Sequence, residues 1–147
     1  MTKSWMVAAA FAALATGGCS MMLWTQAAPA TPTFTATLAP GADVSSPGKG
    51  SGAFTYDPAT HTLTYNVTYE GLTGPAAAAH IHGPADPGGN AGVVVPFASA
   101  ASPITGTATL TDAQAADLMA GKYYVNVHTV ANRGGEIRGQ ITPKTGR

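Results

Sequence analysis

The sequence predicts an all-β domain, a Greek-key β-sandwich or flattened barrel of about eight antiparallel strands with one short helix. Three observations carry this expectation. Apolar and polar residues alternate in short segments, as strands with one buried face require. Glycine and proline, 18 and 11 of the 147 residues, punctuate those segments at hairpin spacing. Charged residues make up only 10% of the chain, a composition that disfavours long surface helices and suits strands joined by turns.

Taken in order, Thr33-Phe34-Thr35-Ala36-Thr37-Leu38 alternates polar and apolar and stops at Pro40-Gly41, and Val44 to Gly50 has turn composition. Gly52 to Tyr56 is a second strand, closed by the Asp57-Pro58-Ala59-Thr60 turn. Thr62 to Tyr69 follows with the cleanest period of two, Leu63, Tyr65, Val67 and Tyr69 on one face, Thr62, Thr64, Asn66 and Thr68 on the other. Gly71 to Pro75 breaks the pattern before a strand at Ala77 to Gly83. Two prolines and the glycines of 84–92 then impose a loop. Val93 to Phe97 and Ile104 to Leu110 are short strands. The single helix spans Asp112 to Ala120, about three turns, with Thr111 and Gln114 as a capping box and Gly121 as its left-handed stop. Lys122 to Thr129 and Glu136 to Ile141 complete the strands, the last with Ile137 and Ile141 inward and Glu136, Arg138 and Gln140 outward.

Ahead of the domain lies a targeting segment. Lys3 supplies a positive start, Met6 to Leu14 an apolar run too short to span a bilayer, and small residues lead to Cys19, the only cysteine. This pattern predicts a lipoprotein-type signal peptide over 1–18, lipidation of Cys19 and a Pro-rich flexible tether over 19–32. The domain occupies 33–142 and a C-terminal tail 143–147. An ordinary secretory leader cut near Ala27-Ala28 is the alternative. Either way the expected location is extracytoplasmic, and with Cys19 lipidated the protein is anchored to a bacterial membrane, periplasmic or at the cell surface. The formal net charge is zero and the seven Lys and Arg form no basic run, so no nucleic-acid partner is expected. No nucleophile elbow, P-loop or dinucleotide fingerprint is present.

The chemistry-bearing stretch is Ala79-His80-Ile81-His82-Gly83-Pro84. On a strand, His80 and His82 project from one face, about 7 Å apart, and Ile81 from the other. His128 ends Tyr124-Val125-Asn126-Val127-His128 on the face opposite Val125 and Val127. If the two strands are near each other, three imidazoles converge. Three neutral imidazoles are a donor set for copper or zinc with a coordination position left open, and copper is favoured by affinity. His61, at the turn into the third strand, is the weaker fourth candidate. Glu136, Asp86 and Asn126 are candidates to orient the ligands. Arg138 is the candidate to draw in a small anion such as superoxide, and Tyr124 shares the face of His128.

Three segments together resemble a chordin-type (CHRD) domain: His80-Ile81-His82-Gly83-Pro84-Ala85, Leu110-Thr111-Asp112-Ala113-Gln114 through Gly121 to Thr129, and Gly134-Gly135-Glu136-Ile137-Arg138-Gly139-Gln140-Ile141. The likeness spans roughly Phe34 to Thr142 and implies an extracellular β-rich module. A more distant similarity is to the copper side of the Cu/Zn superoxide dismutase fold. It implies that His80 and His82 match that family's His-x-His pair and His128 its late copper ligand. That family's bridging histidine, zinc-loop ligands and disulfide have no counterpart here, and only Arg138 or Arg133 could stand for its arginine. Two functional expectations follow. One is an exported, lipid-anchored metalloprotein holding copper at His80, His82 and His128, with superoxide dismutation as its turnover. The other is a noncatalytic module whose loops bind a protein or glycan.

Overall fold

The computed structural model describes residues 31–144. The expected leader, Cys19, nearly all of the tether and the end of the tail lie outside them. The period-two segments form strands β1 (Thr33–Pro40), β2 (Lys49–Asp57) and β3 (Thr62–Glu70). In β3, Leu63, Tyr65 and Val67 are buried while Thr64, Asn66 and Thr68 are exposed. β2 and β3 pair as an antiparallel hairpin from Lys49↔Glu70 to Asp57↔Thr62. The Asp57 carboxylate closes its turn by accepting from Ala59 N and Thr60 Oγ1.

β1 pairs with β2, and β6 (Ile104–Thr109) with β3, giving a first sheet. In the second sheet β4 (Ala76–His82) lies between β5 (Val93–Pro96) and β7 (Tyr124–Thr129), and β8 (Ile137–Gln140) pairs with β7. Ala39 and Pro40, at the end of β1, pair with Arg138 and Ile137. β1 therefore belongs to both sheets, and the order β5-β4-β7-β8-β1-β2-β3-β6 curls into a nearly closed barrel. The non-consecutive neighbours β3/β6, β4/β7 and β8/β1 mark its crossovers, as in Greek-key folds. A ninth, two-residue strand, β9 (Thr142–Pro143), pairs with the start of β1. It is too short to show a period and was not expected.

The core between the sheets is built from the inward positions of every long strand, among them Phe34, Phe54, Leu63, Ile81, Ile104, Val125 and Ile137. Helix α1 (Asp112–Met119) closes one end with Leu118, fully buried, while Ala115 packs against the same cluster. Both halves of the Thr111–Gln114 capping box form, and Gly121 takes φ +70° just beyond the helix. The helix has eight residues, about two turns rather than the expected three. Among the described residues no helix is long and apolar enough to cross a membrane.

One side chain departs from the expected parity. Glu136, expected to face outward with Arg138 and Gln140, is wholly buried. β8 begins only at Ile137, and Gly135 at φ +118° turns the backbone just before it, so the strand rule does not reach residue 136.

Candidate metal centre

Pairing of β4 with β7 places His80 opposite Asn126 and His82 opposite Tyr124, with His128 opposite Ala78 and diagonal to His80. All three histidines fall on the outer face because Ile81, Val125 and Val127 are drawn into the core. The rings converge, with centroids 5.0 Å apart for His80–His128, 5.4 Å for His80–His82 and 5.7 Å for His82–His128. One nitrogen from each ring lies within 4.8 Å of the others.

Backbone carbonyls set the tautomers of two of these rings. His82 Nδ1 is 3.0 Å from Ala91 O and His128 Nδ1 2.9 Å from Arg133 O. A carbonyl only accepts, so each Nδ1 carries the proton and each Nε2 presents a lone pair. His128 Nε2 accepts from His80 Nδ1 at 3.2 Å, so His80 would ligate through Nδ1 only after its proton moves to Nε2. Two nitrogens bound at about 2.0–2.1 Å to one tetrahedral ion sit about 3.3 Å apart, so this spacing fits a shared cation with little movement. His82 Nε2 is buried with no hydrogen-bond partner, an arrangement that native structures avoid unless something satisfies the atom. The donor set therefore fits a transition-metal ion bound by His80 Nδ1, His82 Nε2 and His128 Nε2.

Electrostatics favour the neutral, ligating form of two rings. Burial holds His80 below the ordinary imidazole range, with repulsion from His128 and His82 adding to it. Burial does the same to His82. The Ala91 contact works in the opposite sense and does not overcome burial reinforced by His128 and Arg138.

Two loops cover the outer face of the second sheet. Loop 84–92 is tied down by Arg138, whose Nη2 donates to Gly89 O at 2.7 Å and Nη1 to Asn90 Oδ1 at 2.9 Å. Gln140 Nε2 donates to Ala85 O, Ala91 N donates to the Tyr124 hydroxyl, and Asp86 pairs with Lys122. The guanidinium of Arg138 lies 3.9 Å over the Tyr124 ring, whose plane lies within 11° of that of His82 at 5.2 Å between centroids. Arg138 thus braces the ring that stacks on His82. Loop 130–135 is held by Asn126 Nδ2 on Gly134 O. It is also held through Glu136, which accepts from Ser46 Oγ, Thr73 N, Thr73 Oγ1, Thr129 Oγ1 and Asn132 Nδ2. Burial raises the Glu136 carboxyl, but these donors outweigh it and hold the group down to about 2.

An open cavity of about 490 Å³ is lined by all three histidines, with Ala77, Ala78, Val93, Val130 and Arg133 around them. Arg133, rather than Arg138, is the arginine among its lining residues. His61 is not part of the cluster. It sits at φ +54° in the β2–β3 turn with its Nδ1 near Tyr56 Oη and Asp112 Oδ1. Of the expected orienting residues, Asn126 and Glu136 hold the loop that presents Arg133 O to His128, whereas Asp86 is spent on Lys122. The carbonyls of Ala91 and Arg133 were not foreseen, because backbone groups leave no mark in a sequence.

No curated protein and no solved structure matches the chain. The CHRD domain family matches residues 34–141, which take in the helix, all three converging histidines and both sheets apart from Thr33 and β9. With most of its length covered by that match, the chain belongs to the CHRD domain family.

Proposed function

We propose that this protein is an exported, lipid-anchored domain that holds one copper ion through His80, His82 and His128. The observation that carries the reading is the convergence of three imidazole nitrogens on one spot, one of them buried without a partner. Copper is favoured over zinc because imidazole sites bind it more tightly along the divalent series. When bound, copper supplies one-electron redox chemistry, and superoxide dismutation is the turnover proposed for it. The chain's own part is to present neutral rings, to fix His82 and His128 by their Nδ1 protons and to leave the cavity side of the cluster open. Arg133 adds positive charge there for an anion. The export and anchoring rest on the leader and Cys19. Loop 84–92, which a noncatalytic module would offer to a partner, directs Asn90 Oδ1 and several carbonyls to the sheet beneath it.

The test is copper stoichiometry and superoxide consumption for the purified protein beside a His80→Ala/His82→Ala double variant. One copper per chain in the wild type and none in the variant is the expected result. Equal occupancy of the two proteins overturns the site. A copper-loaded wild type that consumes no superoxide removes the turnover and leaves the metal site standing.

A further inference from the structure

The cavity at the histidines is far larger than a diatomic anion needs. Its volume of about 490 Å³ compares with roughly 30 Å³ for a water molecule in the liquid and falls in the range of small-molecule sites, roughly 300–1,000 Å³. Its polar lining consists of the three histidines, Arg133 and Thr129, and the Thr129 hydroxyl is spent on Glu136. The rest is Ala77, Ala78, Val93 and Val130. A second cavity of about 410 Å³ shares Ala77, Thr129 and Val130 with the first and continues past Ala76 and Pro75. Three large hydrophobics stand exposed among the described residues, and two of them, Val93 at 51% and Val130 at 72%, line the histidine cavity. Both thus give the open side of the histidine cluster an apolar border. Arg133 pairs with no carboxylate among the described residues.

We infer that the site takes an organic monoanion with an apolar body, a carboxylate whose head binds at the open metal position beside Arg133 and whose chain lies along Ala77, Val93 and Val130. This inference rests on the metal reading above. Its chemistry is complementarity: three neutral ligands leave the ion's positive charge uncompensated, Arg133 adds a second cation, and the alkyl wall stabilises only a ligand that has something apolar to lay against it.

The experiment is a titration of the copper-loaded full-length protein with straight-chain carboxylates from acetate to hexanoate, read by the electron paramagnetic resonance spectrum of Cu(II). Affinity is expected to rise by up to about fourfold per added methylene. Val130→Ser, a change at an exposed position, should flatten that rise while leaving acetate binding and copper stoichiometry unchanged. Arg133→Ala should weaken acetate and hexanoate by a common factor. A chain-length profile that is flat in the wild type, or one untouched by Val130→Ser, overturns the inference while the metal site stands. Failure to take up copper at all overturns the metal reading itself, and the stoichiometry measurement separates the two failures.

Discussion

On the outer face of the first sheet, Thr35, Thr37, Thr55, Thr64, Thr68 and Thr107 all stand exposed. On the outer face of the second, Tyr124 and Asn126 are buried, His82 is nearly so, and loops 84–92 and 130–135 lie over them. The same period of two builds both faces, with apolar residues inward and polar residues outward. What differs is the solvent. A threonine in water finds partners without cost, whereas a polar group under a loop must be matched by the protein. Beneath the loops nearly every such group is matched: Arg138 and Gln140 by loop carbonyls, His82 Nδ1 and His128 Nδ1 by Ala91 O and Arg133 O, and Glu136 by five donors. Two buried atoms of this face have no partner, Asn126 Oδ1 and His82 Nε2, and of the two only His82 Nε2 belongs to the histidine cluster.

Breaking the covered face should therefore cost far more than altering the open one. Glu136→Ala removes the acceptor shared by Ser46, Thr73, Thr129 and Asn132, leaving the buried Thr129 hydroxyl and the part-buried donors of the other three without it. Chemical denaturation should show a loss of about 3 kcal/mol or more. Gly135→Ala is next. It forces a side chain into φ +118° and onto Asn126 Oδ1, with an expected loss of about 1–3 kcal/mol by the same measurement.

The acid response should carry the same signature. Glu136 sits at about 2 in the folded protein, below its ordinary value of 4.5. Its stabilisation is thus fully present above about 4.5 and is lost as pH falls through about 2. His80 and His82 are also lowered from 6.5. Below 6.5 the unfolded chain then binds more protons than the folded one, and stability declines as pH falls. Denaturation across pH 8 to 2 should show a first decline beginning near 6.5 and a second below 4.5, and Glu136→Gln should reduce the second alone, leaving the share of Asp57, whose carboxyl is lowered by its bonds from Ala59 and Thr60. The smallest effect belongs to the open face. Thr64→Ala should change stability by no more than about 0.5 kcal/mol, and a larger loss would mean that this face is covered too.

Much of this organisation is legible in the residues. Strict alternation in Thr62 to Tyr69 gives β3 its inward face, the capping box gives α1 its start, and parity alone puts His80, His82 and His128 on an outer face. Burial of Glu136 is not legible, because Ser46 and Thr73 lie 90 and 63 residues away and only the folded chain brings them together. Nor is the placement of the two arginines. Arg138 has the strand parity for the site, but its guanidinium is held by Gly89 and Asn90, whereas Arg133 reaches the cavity from a loop that obeys no period. Side-chain direction on strands follows from spacing. Loop coverage follows from long-range hydrogen bonds that spacing does not encode.

The most direct measurement is X-ray absorption at the copper edge on the stoichiometric complex of the purified protein. Three imidazole nitrogens at about 2.0–2.1 Å are expected, with one lost in His128→Ala. A first shell of fewer than three imidazoles in the wild type, or a spectrum that His128→Ala leaves unchanged, would contradict a centre built by β4 and β7 together.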